Sequence, residues 1–294
     1  MRTFTNSVQY IAMRRILLLM LCLLFAALPA RATEAELKFG IFPNLSARLL
    51  IETYQPVADA LSSELKRPVT LHTAPDFKTF FERTQAGEYD LVLTAPHLAW
   101  LAHKEQGYRP LFVYQRNTEG ILVVRADSRI QNPGDLRGKT IAMSDPLAVT
   151  VMRMESDLAK AGLQGGRHYN KLEVGPHNNA ALHVYEGKSD AAIMGGLPFQ
   201  RLPEAMRKNL RIVRTTAGFP SQVYLVNSRL SNAQEWALRG ALQDFMQSSQ
   251  GKAFLAGGGF EGLRKIGGWE LRQFDADGLQ VKQRLYAGKD QAAK

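Results

Sequence analysis

Apolar positions along this chain change period repeatedly, from every second residue to every third or fourth and back. Leu37, Phe39 and Ile41 alternate as in a strand, and beyond a loop Val57, Ala60, Leu61 and Leu65 share one face of a helix expected over residues 56–66. A strand follows at 69–72. Asp76 stands where a helix N-cap belongs, ahead of Phe77, Phe80 and Phe81 at helical spacing, and Gly87 ends that helix before a strand at 91–93. A helix at 98–105 leads to a strand at 111–114, after which Gly120-Ile121-Leu122-Val123-Val124 reads as a fully buried or crossing strand.

The turn-rich run Asn132-Pro133-Gly134-Asp135-Leu136-Arg137-Gly138-Lys139 feeds a strand at 140–143, and a second unit begins near residue 125. There the rhythm repeats: helix 150–161, strand 172–174, helix 179–185, strand 191–194 and strand 211–213, with Phe219-Pro220 as the stop. Residues 222–226 form a returning strand, and helices at 233–245 and 279–286 complete the chain. The expected architecture is α/β throughout, in two lobes. Residues 36–122 with 224–294 form one and 123–223 the other, joined by strands near Ile121 to Val124 and Gln222 to Val226, with a ligand cleft between them.

Residues 1–32 carry no Asp or Glu, place Arg14-Arg15 before the apolar run 16–28, and end on Ala30-Arg31-Ala32. That is a secretory signal peptide, too short in its apolar part to span a bilayer, with cleavage expected after Ala32 and export to the periplasm. Met13 serves as a start as well as Met1. The single cysteine, Cys22, lies in the apolar run after Leu21, where a lipoprotein site needs a small residue, so no lipid anchor is expected. Past Thr33 no cysteine remains, which removes disulfides, thiol nucleophiles and cysteine metal sites.

The formal charge is +10, from 37 basic and 27 acidic residues; without the leader's four arginines, 33 remain against 27, about +6. That balance suits an anionic solute or plain solubility. Nucleic acid is not an expected partner, since no basic run exceeds two residues and export separates the chain from it. Met143, Met152, Met154 and Met194 fit core packing, and the six His residues lack metal-ligand spacing. Gly257-Gly258-Gly259 reads as a helix-ending turn, because no Lys-Ser/Thr pair follows it as in a phosphate loop. Nothing marks a catalytic nucleophile or a carboxylate pair, so neither enzymatic activity nor a cofactor is expected.

Several segments then fall into one order: Tyr54 to Ser62, Ala74-Pro75-Asp76-Phe77, Gly87-Glu88-Tyr89-Asp90-Leu91, Asp127-Ser128-Arg129-Ile130, Asp135-Leu136-Arg137-Gly138-Lys139, Ser144-Asp145-Pro146, and Gly175 to Leu182 with Gly187 and Asp190. In order and spacing, over residues 37–262, the chain resembles the phosphate, phosphite and phosphonate solute-binding proteins of ABC importers, which have the type II periplasmic binding fold. The resemblance implies a binding protein that closes on a small, anionic solute and hands it to a membrane permease; a monomer is expected. The same fold also serves sensors that report to a membrane histidine kinase.

In the resembling family the Asp-Pro turn precedes a hydroxyl-rich triplet opening a helix that holds the phosphono group. Here that stretch is Leu147-Ala148-Val149-Thr150, and only Thr150 keeps a hydroxyl, which implies altered specificity. The family's ligand-facing histidine matches His177, followed by Asn178; a helix cap is the other reading of His177. After the strand at 91–93 the chain reads Thr94-Ala95-Pro96-His97, where Thr94 and His97 can bond a ligand and Thr94 can equally cap the next helix. Arg153, one turn beyond Thr150, can supply a charge-assisted contact or face solvent. Tyr54 and Arg48 flank the first loop as candidates for the cleft rim.

Overall fold

A computed structural model describes residues 35–286. In chain order the elements are β1 (Leu37–Ile41), α1 (Ala47–Leu65), β2 (Val69–His72), α2 (Phe77–Gln85), β3 (Leu91–Thr94), α3 (Pro96–Gln106), β4 (Arg109–Tyr114), β5 (Asn117–Thr118) and β6 (Gly120–Arg125). There follow β7 (Thr140–Met143), α4 (Val149–Lys160), β8 (Asn170–Glu173), α5 (His177–Tyr185), β9 (Ala191–Gly195), α6 (Gly196–Gln200), α7 (Glu204–Lys208), β10 (Leu210–Thr215) and β11 (Phe219–Pro220). The chain closes with β12 (Val223–Val226), α8 (Asn232–Gln247), α9 (Ser249–Gly258), β13 (Leu263–Lys265), α10 (Gly268–Leu271) and α11 (Asp275–Tyr286). The signal-peptide expectation falls on residues outside this range. Among the described residues no helix is long and apolar enough to cross a membrane.

Two sheets organise these elements. The first has six strands in the order β13-β4-β12-β3-β1-β2, with β1 parallel to β2 and β3, and β12 running antiparallel between β3 and β4. The second has five, β10-β6-β9-β7-β8, with β7 parallel to β8 and β9. Central strands such as Leu91–Thr94, Ala191–Gly195 and Val223–Val226 are buried at every position, as strands covered by helices on both faces must be.

Between the sheets the chain crosses twice, and there β5 and β11 pair antiparallel. This corrects the crossing expected at Ile121 to Val124 and Gln222 to Val226. β6, from Gly120 onward, pairs throughout with β9 and β10 in the second sheet, and β12 lies wholly in the first. A continuous apolar run marks a strand buried on both faces but not the sheet that buries it, so the run alone placed the crossing a few residues late. Gly120 opens β6 because a Cβ there would stand 2.5 Å from the Thr150 carbonyl oxygen.

The first helix also departs from expectation. The helix expected over residues 56–66 begins instead at Ala47 and carries Pro56 inside it. Leu50, Tyr54, Val57, Ala58 and Leu61 make one buried stripe across the proline, and this packing offsets the hydrogen bond that proline cannot donate. The Gly257 to Gly259 run does end a helix: Gly259 caps α9 at φ 63°. β13 was not foreseen, being three residues long with two of them basic.

Candidate functional site

Asn44 in the loop after β1, Ala95 and Pro96 after β3, the first turns of α4 and α5, and Ser221 and Gln222 before β12 surround one cavity of about 50 Å³. Phe42 and Phe77, edge-on at 5.6 Å, form one apolar wall, with Leu197 and Phe219 elsewhere on the lining. No ionised side chain lines the cavity among the described residues. Its position follows from the topology: loops leaving parallel strands collect at one edge of each sheet, and helices begin there.

Hydrogen bonds crossing between the sheets hold the cavity walls together. Asp145 accepts from the Phe77 backbone N–H at 2.9 Å and from Leu147 N–H at 2.8 Å, tying the start of α2 to the turn before α4. His97 Nε2 donates to the Leu147 carbonyl at 2.8 Å. Burial raises the Asp145 carboxyl above the usual range despite its two backbone donors.

Three side-chain polar atoms of the lining have no partner. Asn44 Oδ1, Thr150 Oγ1 and His177 Nδ1 are buried without a hydrogen bond, although each residue lines the cavity. Such groups cost roughly 1–3 kcal/mol each when left unsatisfied, and native interiors rarely keep several side by side. Around them stand the N-terminal turns of α3, α4 and α5; α3 opens on Pro96, which has no N–H, while the first backbone N–H groups of α4 and α5 have no intrahelical acceptor. Gln222 adds a donor: its Oε1 accepts from Tyr54 Oη at 2.9 Å, which leaves the amide NH₂ for the cavity. Burial alone pushes His177 down to about 4. The site is therefore uncharged at neutral pH and rich in donors, an arrangement suited to a small oxyanion.

A family profile described as "ABC transporter, phosphonate, periplasmic substrate-binding protein" matches residues 39–267. The chain belongs to this family. Its members are periplasmic substrate-binding proteins of transport systems. Solved structures similar to it include a Xanthomonas citri protein bound to chloride ion, at 21% identity over 85% of this chain and 99% of that one, with a TM-score of 0.68. Another is a binding protein component of an ABC phosphonate transporter from Pseudomonas aeruginosa, at 16% identity, 86% and 99% coverage and a TM-score of 0.73. A third is PhnD1 from Prochlorococcus marinus in complex with methylphosphonate, at 16% identity, 84% and 98% coverage and a TM-score of 0.74. The fold is the type II periplasmic binding fold.

Of the residues singled out from sequence, Thr150 and His177 line the inner cavity of this family member, and Asn178 lines a wider groove outside it. His177 does not cap α5, since Pro176 holds that position and no side-chain cap bond forms. Thr94 does not cap α3, whose N-cap is Ala95; its Oγ1 is buried and unpartnered one residue from the lining. His97 lies behind Pro96, and its Nδ1 is an unpartnered acceptor once Nε2 carries the proton.

Two expectations need correction. Arg153 is neither an anion contact nor solvent-facing: it leaves the side of α4, pairs with Asp277 at 2.8 Å, and stacks on Phe219 and Phe274 at 4.6 and 5.2 Å. A residue one turn below a helix N-terminus points along the flank, and the flank here meets α11. Tyr54 is not on a rim, because α1 starts nine residues earlier than expected and turns it into the core at 1% exposure. It serves the site at one remove, through Gln222. Arg48 is solvent-facing and pairs with Glu52. Asn44, Ser221 and Gln222 were missed: Asn44 and Ser221 sit in loops with no period to read, and Gln222 is the first residue of the expected returning strand, which in fact starts at Val223.

Proposed function

We propose that the protein is the solute-binding component of an ABC importer, exported with cleavage after Ala32 and active as a monomer. Its two lobes, one around each sheet and hinged at β5 and β11, close on a small anion. The observation that carries this reading is the set of buried, unpartnered Asn44, Thr150 and His177 atoms converging with three helix N-terminal turns on one uncharged cavity. A volume of about 50 Å³ admits a few heavy atoms, as in a tetrahedral oxyanion. Backbone N–H groups, Thr150 Oγ1, His177 and the Gln222 amide bind its oxygens, and Asn44 Oδ1 accepts from a hydroxyl such as a singly ionised phosphonate retains. A ligand held from both sheets has the differential affinity that shifts an open–closed equilibrium. The family match supports transport over sensing.

Ala148 and Val149 line the cavity where hydroxyl donors would strengthen an oxyanion contact. Hydrogen bonds to a charged group contribute about 1.5–3 kcal/mol each, so their absence weakens methylphosphonate and phosphate by roughly 3 kcal/mol, more than a hundredfold. Calorimetry on the wild type and an Ala148→Ser/Val149→Thr variant tests this. Weak wild-type binding that the variant tightens is expected; tight binding that the variant leaves unchanged contradicts it, and Arg153, committed to Asp277, offers no substitute contact.

A further inference from the structure

Outside the inner cavity lies a groove of about 650 Å³, large enough for a drug-sized molecule, whereas the cavity takes only a head group. The two share Pro198 in their linings, and the chain passes directly from one to the other at Asn44-Leu45, His177-Asn178 and Leu197-Pro198. Leu49 on α1 and Leu182 on α5 line the groove from helices packed on different sheets, at 43% and 36% exposure. Met206 and Phe254 add to its apolar surface.

The only ionised side chains on the groove, among the described residues, are already engaged. Glu52 accepts from Arg48, while Arg201 donates to the Gly258 carbonyl and lies over the Phe260 ring at 4.9 Å. The Glu52 charge is paired, and the Arg201 guanidinium is held by a carbonyl and a ring face with no carboxylate of the described residues beside it. Two large exposed leucines facing one groove from opposite sheets ask for an apolar occupant that touches both.

From this continuity we infer that the ligand carries an uncharged apolar arm, an alkyl or aryl substituent on its anionic head, which passes Pro198 and lies between Leu49 and Leu182. The inference rests on the head-group reading above and adds the substrate class: organophosphonates with a substituent longer than methyl. It also gives closure a second source of free energy, because the arm is buried by both lobes and its burial completes only when they meet.

The test is calorimetry on the mature chain with methyl-, propyl-, butyl- and hexylphosphonate. Burying one methylene contributes about 0.8 kcal/mol, so each added carbon tightens binding about fourfold, and hexylphosphonate binds at least a hundredfold tighter than methylphosphonate. A Leu49→Gln/Leu182→Gln variant, altered only at residues more than a third exposed, loses tenfold or more of that gain and leaves methylphosphonate within twofold; a melting curve confirms that it folds. Thr150→Val weakens every member alike. Binding that is independent of chain length, or a gain that survives the double replacement, overturns the arm while leaving the head-group reading intact. If no member of the series binds, both fall together.

Discussion

At its first turn α4 presents Thr150 to the cavity with no partner for Oγ1, whereas its flank, one to two turns on, is held from several sides. There Arg153 pairs with Asp277, and Glu155 receives Lys171 at 3.2 Å and Arg284 at 2.8 Å; Arg284 also donates to the Pro146 carbonyl at 2.7 Å. One helix thus carries permanent charge pairs to α11 on its flank and open, neutral donors at its tip. The difference separates two tasks. A charge left without its partner in a semi-buried place is costly, so charges stand where the partner is covalently part of the chain. A neutral donor left open costs less and stands where the partner comes and goes.

The largest expected effect sharpens the comparison through pH. Burial holds both His97 and His177 down to about 4, outweighing the Leu147 hydrogen bond in the case of His97. The unfolded chain titrates them near 6.5, so between pH 6.5 and 4 it binds more protons than the folded one, and stability falls as pH drops through that window. The loss is on the order of 3 kcal/mol per histidine, offset in part by Asp145, whose raised carboxyl acts in the opposite sense. Urea denaturation at pH 7, 5.5 and 4.3 should show the decline, and a His97→Gln/His177→Gln variant should flatten it. Bound anion favours the charged form of His177, so ligand should recover part of the loss in the wild type and in His97→Gln but not in His177→Gln.

Next in size is the paired flank. Asp277→Ala leaves Arg153 between Phe219 and Phe274 without its carboxylate, with the pair's side chains only 26% and 13% exposed. The expected loss is about 2 kcal/mol, between an exposed and a buried pair, or roughly 4–8 °C in the melting temperature of a chain this size. Head-group affinity should move less than threefold. A large loss of affinity with unchanged melting would break the division of tasks.

How far the sequence carried the account depends on the kind of signal. Thr150 and His177 were legible through the resemblance, which implies a hydroxyl at the helix start after the Asp145-Pro146 turn and a ligand-facing histidine before the next helix. Arg153 was misplaced because spacing along a helix gives the turn and not the neighbour, and α11, its neighbour, lies 124 residues away in the chain. The start of α1 was missed because the apolar face was read only from Val57 onward; the buried stripe that extends it back through Tyr54 to Leu50 shows once the core is known. Gln222 was read simply as a strand residue. Its role comes from Tyr54, 168 residues distant.

That contact supplies the smallest predicted effect. Tyr54→Phe removes the hydroxyl that fixes the Gln222 amide, and an amide free to turn loses part of its donor contribution. Affinity for the head group should fall about three- to tenfold, of the order of one neutral hydrogen bond, with the melting temperature changed by no more than a few degrees. Gln222→Glu, which replaces the donor with a charge, should abolish binding outright. Equal affinity in Tyr54→Phe and wild type would mean that Gln222 needs no support.

The central claim, that an anion's oxygens are held at the tips of α4 and α5, is tested most directly by two-dimensional ¹H–¹⁵N NMR of the mature chain titrated with hexylphosphonate. The account predicts that the backbone amides of Val149, Thr150, Val151, His177 and Asn178 shift most, moving downfield as they donate to the oxyanion. Those five amides standing still while signals from surface lysines or arginines move would contradict it.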